Sequence, residues 1–150
     1  MKSSLSGGAV SYVCELTRRR YRKPPPAIRS PEDVASLPAV RRLCRARREH
    51  FIVLLLNARH ECTGVDTISI GSLNASIVHP REVFLPAVSA SAAAVVLVHN
   101  HPSGDPEPSE EDLSITKRLV QCGETLGISV LDHIIISSRG LMSLRARQML

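Results

Sequence analysis

Two unbroken apolar runs of strand length, residues 51–56 and 93–98, set the tightest limit on how this chain folds. A third, residues 130–136, is interrupted only by Asp132 and His133. A strand with one wet face alternates apolar and polar residues, whereas a continuously apolar strand is covered on both faces. Helix signals fall between these runs. Ser30-Pro31-Glu32-Asp33 has an N-cap serine, Pro at N1 and acids in the first turn. Pro38 should break that helix, and a second one is expected over residues 39–48 with Val40, Leu43, Cys44 and Arg47 on one side. His79-Pro80-Arg81-Glu82 opens another helix carrying Val83, Phe84, Ala87 and Val88, although Pro86 removes a backbone donor. Ser109-Glu110-Glu111-Asp112 starts a helix to about residue 126, with Leu113, Thr116, Leu119 and Val120 at helical spacing and Gly127 as its stop. Residues 62–70 partly alternate and suggest a hairpin partner for 51–56. Residues 71–75 are a loop, and 138–140 turn into a short last strand, 141–144. Strands alternating with helices imply an α/β sandwich with a mixed central sheet.

The chain has 150 residues, enough for one domain with a sizeable core. Aromatic residues are only 3%, which makes the core aliphatic and leaves no platform of stacked rings for bases. Cys14, Cys44, Cys62 and Cys122 are scattered, with no Cys-x-x-Cys, so a disulfide framework is not expected. Residues 1–10 lack the apolar core of a signal peptide. The longest apolar run, residues 92–98, has seven residues and is far short of a membrane span. A reducing cytoplasm is the simplest compartment.

Charge is unevenly placed. Residues 1–48 hold 12 Lys/Arg and 3 Asp/Glu, a net +9, while residues 49–150 carry a net −4. The basic run at 18–23 followed by Pro24-Pro25-Pro26 reads as a solvated arm over residues 1–29, ahead of a domain at 30–150. Its functional reading is contact with phosphates, which makes residues 18–23 a candidate nucleic-acid contact.

The segment richest in chemistry is His99-Asn100-His101-Pro102-Ser103-Gly104-Asp105-Pro106-Glu107-Pro108-Ser109-Glu110-Glu111-Asp112. His99 and His101 end a buried strand, and a period of two sends both imidazoles to the same side. Asp112 falls in the first turn of the next helix, across a loop stiffened by three prolines. Strand ends followed by helix starts are where open α/β sheets build their sites. Two imidazoles and one carboxylate leave a fourth position open on zinc, the pattern of a catalytic centre. Zinc lowers the pKa of bound water to about 7, and a carboxylate is then a suitable general base. Glu49, just before the buried strand at 51–56, is the candidate. The same residues have plainer uses: Ser109 and Asp112 suit a capping box, and Glu49 suits a surface pair with Arg45 or Arg48. His79 and His133 are further candidates, with a buried, hydrogen-bonded structural role the simpler reading of His133. His50 and His60 lack a comparable context.

His99-x-His101-Pro102, six further residues, then Ser109-x-x-Asp112 resembles the JAMM signature of the MPN/JAB metallopeptidase family. The fuller string resembles its RadC branch, as do Glu49-His50-Phe51, Val78-His79-Pro80-Arg81-Glu82-Val83, Gly127-Ile128 and Leu131-Asp132-His133. The resemblance spans about residues 40–145. It implies a three-layer α/β/α sandwich, similar in outline to cytidine deaminases. It also implies one Zn2+ per chain on His99, His101 and Asp112, with Glu49 as general base and Ser109 stabilising the oxyanion. The implied reaction is hydrolysis of a peptide or isopeptide bond in an unknown protein or peptide substrate. RadC-like proteins usually carry an N-terminal helix–hairpin–helix-type region suggestive of DNA contact, where about 40 residues reading as a basic arm stand here. The alternative rests on the +9 excess in residues 1–48: a DNA-associated, repair-type module that uses the basic N-terminal arm, with a structural or vestigial metal site. A zinc deaminase would need His-x-Glu and Pro-Cys-x-x-Cys, and this chain has neither.

Overall fold

A computed structural model of the chain describes residues 25–71 and 78–150. The basic run at 18–23, Cys14 and most of the 71–75 loop lie outside the described residues. The helices are α1 (Pro31–Ser36), α2 (Pro38–Leu43), α3 (Pro80–Ser89) and α4 (Glu110–Leu126). The strands are β1 (His50–Leu56), β2 (Cys62–Ile70), β3 (Ala94–Asn100), β4 (Ser129–Ser137) and β5 (Gly140–Ser143).

The five strands form one sheet in the order β2-β1-β3-β4-β5. β3 and β4 are parallel neighbours joined through α4, and the other pairings are antiparallel, so the sheet is mixed. β1 and β3 are buried along nearly their whole length, because helices cover both faces. On one face Val34, Leu37, Val40 and Leu43 of the α1–α2 segment pack on Ile52, Leu54, Val96, Val98, Ile134 and Ile136. On the other, Val83, Phe84 and Ala87 of α3 and Ile115 and Leu119 of α4 pack on Phe51, Val53, Val95, Leu97 and Val130. The result is the three-layer α/β/α sandwich.

The helix starts follow their sequence grammar. Ser30 closes a capping box with Asp33, and Ser109 closes one with Asp112. α4 stops at Gly127, whose φ of 69° a residue with a Cβ adopts at a cost. α3 continues through Pro86, which sits at its interior without ending it. The expected helix over 39–48 is shorter than its pattern: α2 ends at Leu43. Beyond Cys44 the segment offers only Ala46 among arginines, with no apolar face to bury, and the Arg48 carbonyl is drawn to Asn100 instead. Residues 26–28, placed in the arm on composition, pair with the sheet edge. Ala27 bridges Glu61, Ile28 N–H donates to His60 O at 2.9 Å, and Ile28 is buried.

Gly123 of α4 leaves no room for a side chain. A Cβ there would lie 2.5 Å from the Ile128 carbonyl oxygen and 3.3 Å from Phe84 and Val130 side chains. Gly123→Ala should therefore destabilise the fold by about 1–3 kcal/mol, as measured by denaturant unfolding.

Candidate metal centre

His99 and His101 leave the carboxyl end of β3 on the same side, with their Nε2 atoms 2.9 Å apart. The capping box of α4 brings the Asp112 carboxylate to the same point. Asp112 Oδ1 lies 3.3 Å from His99 Nε2 and Oδ2 lies 3.4 Å from His101 Nε2. All three donors fall within 4.8 Å of one another. Ligands about 2.0–2.1 Å from a tetrahedral centre are separated by about 3.3–3.4 Å, which both histidine–Asp112 separations match, while the 2.9 Å between the two Nε2 atoms is shorter and would open on binding.

The second nitrogen of His101 supports that fit. Its Nδ1 lies 2.8 Å from the Asp105 backbone oxygen, which only accepts, so Nδ1 carries the hydrogen. In the neutral ring Nε2 is then a bare lone pair aimed at the other donors, the arrangement expected of a metal-binding imidazole. The hydrogen bond to Asp112 raises the His101 pKa, more than burial lowers it, with smaller help from the Asp105 carbonyl and the Asp112 and Glu49 charges. Burial pushes the Asp112 carboxyl up. Hydrogen bonds with His101, His99 and Ser109 outweigh it and hold Asp112 well below the usual carboxylate range.

Ser109 does two jobs for Asp112. Its hydroxyl accepts from Asp112 N–H at 3.1 Å and donates to Oδ2 at 2.7 Å, while its own N–H donates to Oδ2 at 2.8 Å. The capping box and the cation-ready carboxylate are therefore the same structure, not competing uses of it.

Glu49 directly precedes β1, whose first residues lie beside the end of β3 because the two strands are antiparallel. Asn100 clamps the backbone on both sides of it. Asn100 Oδ1 accepts from His50 N–H at 2.7 Å, and Nδ2 donates to Arg48 O at 3.0 Å. Gly71 N–H also donates to Glu49 O at 2.8 Å. The Glu49 charge is close enough to act on His101. Asn100→Ala should cost about 1–3 kcal/mol in stability by leaving the His50 N–H without its partner, while metal content per chain stays unchanged.

His133 is fully buried in β4, with its Nε2 2.8 Å from His99 Nδ1. Burial, and then the neighbouring His99, hold its pKa well below the ordinary value, so the ring is neutral. Phe51 stacks on His99 at 6.0 Å and meets His133 edge-on at 5.4 Å. His79 instead caps α3, its Nδ1 accepting from Arg81 N–H at 3.2 Å. His50 turns to the Arg48 carbonyl, and His60 sits in the β1–β2 turn at a φ of 57°. Burial pushes the Cys62 thiol up to about 11, which makes it a poor nucleophile. Asn100, Thr116 and Phe51 were missed by sequence reasoning. Thr116 had a signal, since it stands one helical turn after Asp112 and hence on the same face. A cavity of about 760 Å³ lies on the α1 side of the sheet and is lined by none of the cluster. Donor chemistry, not cavity size, marks the site.

Residues 28–149 match the family model described as RadC-like JAB domain. The chain belongs to that family. A UPF0758 protein of Alkaliphilus metalliredigens is 54% identical over 123 residues, covering 82% of this chain and 53% of the relative. A UPF0758 protein of Desulforamulus reducens is 50% identical over 141 residues, covering 92% and 62%. One from Caldanaerobacter subterraneus subsp. tengcongensis is 52% identical over 121 residues, covering 81% and 52%. This RadC-like chain thus spans about half the length of the curated relatives it matches. Among the described residues, no helix is long and apolar enough to cross a membrane.

Proposed function

We propose that this RadC-like domain is a zinc-dependent hydrolase of peptide or isopeptide bonds. The observation that carries the reading is the convergence of His99 Nε2, His101 Nε2 and the Asp112 carboxylate within reach of the Glu49 charge. His99, His101 and Asp112 would hold one zinc ion per chain. Bound there, zinc supplies Lewis acidity to a water and to the scissile carbonyl, bringing the water pKa to about 7. Glu49 takes a proton from the attacking water and returns it to the leaving amine, work that contributes typically about 10²–10⁴-fold. Ser109 donates to the carbonyl oxygen as it gains charge, which requires its hydroxyl to turn from Asp112 Oδ2. Asn100 keeps Glu49 in place throughout.

The test is zinc per chain in natively purified and zinc-reconstituted protein, followed by hydrolysis assays on peptide and isopeptide-linked libraries. About one zinc with cleavage supports the reading; no zinc after reconstitution defeats it.

A second reading has its own observation. Arg41, Arg42, Arg45, Arg47 and Arg48 are exposed and lead directly into Glu49, extending the basic character of residues 18–23. Such a surface suits an acidic partner such as duplex DNA, with a structural or vestigial metal. Binding that weakens steeply with salt supports this, and the absence of binding at low salt removes it.

A further inference from the structure

The metal-facing cluster is backed by a chain of hydrogen bonds whose direction is set from its far end. Thr116 Oγ1 lies 2.6 Å from the backbone oxygen of Asp112. Two oxygens that close need a hydrogen between them, and a carbonyl only accepts, so the single Thr116 proton goes there. The other partner of Thr116 Oγ1 is His133 Nδ1, which must then be the N–H donor. His133 is fully buried and its two ring nitrogens meet the Thr116 hydroxyl and His99, so a second ring proton would be a desolvated charge with no carboxylate against it; Nε2 is therefore bare and accepts from His99 Nδ1 at 2.8 Å. With its hydrogen on Nδ1, His99 faces His101 and Asp112 through an Nε2 lone pair.

We propose that Thr116 and His133 are positioning residues that fix the tautomer of His99, so that the site presents a metal-ready nitrogen before any metal arrives. This rests on the zinc reading above and extends it to two residues that touch neither zinc nor substrate. The relay begins at the Asp112 carbonyl and returns to the Asp112 carboxylate, crossing α4, β4 and β3. In the opposite tautomer His99 would aim an N–H at the cation position, and binding would first have to reverse the whole relay. Phe51 stacks on one ring and meets the other edge-on, which holds both in plane.

The test compares the wild-type chain with Thr116→Val, which keeps shape and removes the hydroxyl, and Thr116→Ser, which keeps the hydroxyl. Ring-nitrogen NMR of the metal-free protein should show His133 with a protonated Nδ1 and a bare Nε2. Zinc affinity, by chelator competition, should fall about 10–100-fold in Thr116→Val and be kept in Thr116→Ser. A protonated Nε2 on a neutral His133 would overturn the proposal, as would wild-type zinc affinity in a folded Thr116→Val. If Thr116→Val does not fold, the wild-type spectrum decides. A wild type that binds no zinc would defeat the proposed function, while the same spectrum would still decide the tautomer.

Discussion

Glu49→Gln should retain about one zinc per chain and lose hydrolysis by about 10²–10⁴-fold, the range typical of a general base. Glutamine matches glutamate in size and cannot accept the proton. The backbone around it is held by Asn100 and Gly71, whose bonds involve main-chain atoms and survive the change. The donor atoms of His99, His101 and Asp112 are untouched. Metal analysis and turnover on a cleaved substrate, run together, separate the two effects. Unchanged turnover would remove Glu49 from the chemistry, and lost metal would move its role to the site's architecture.

His101→Ala and Asp112→Ala should each take zinc from about one per chain to essentially none, because two remaining donors hold a cation poorly. Their stabilities should differ. Asp112 is also half of the α4 capping box, so its loss should cost about 0.5–2 kcal/mol in the metal-free protein. His101 is only partly buried and anchors a loop, so its removal should be milder. The wild-type zinc affinity should also depend on pH. The His101 pKa is raised above its ordinary 6.5, so below that raised value a proton occupies the Nε2 that the metal needs. Affinity should therefore climb as pH rises through that value and level off above it. Asp112, held well below the carboxylate range, stays ionised throughout that window and adds no slope. Chelator competition across pH on the wild-type chain would test the sign, and a flat profile would contradict it.

Local rules carried much of the fold. The apolar runs at 51–56 and 93–98 demanded two-sided burial, and the caps at Ser30 and Ser109 and the stop at Gly127 placed helix ends, because those signals act within a few residues. The helix expected over 39–48 stops at Leu43, because beyond Cys44 the segment offers only Ala46 among arginines and has no apolar face to bury against the sheet.

By itself the sequence determined that this is a RadC-like α/β chain with a strand-end His-x-His, a helix-start aspartate and an acid before the first core strand. Those facts depend on alternation, capping and spacing along one segment. The tertiary structure alone decided which groups stand behind them. Antiparallel pairing of β1 and β3 puts Glu49 beside His101 and lets Asn100 clamp it. In β4, Val130 pairs with Val95 but Asp132 pairs with Val96, an irregularity at Leu131 that shifts the alternation. Val130 and His133 therefore share a face, and His133 arrives under His99. Simple alternation from Val130 would have sent that ring to the other face, because a one-residue slip in a strand exchanges its two sides.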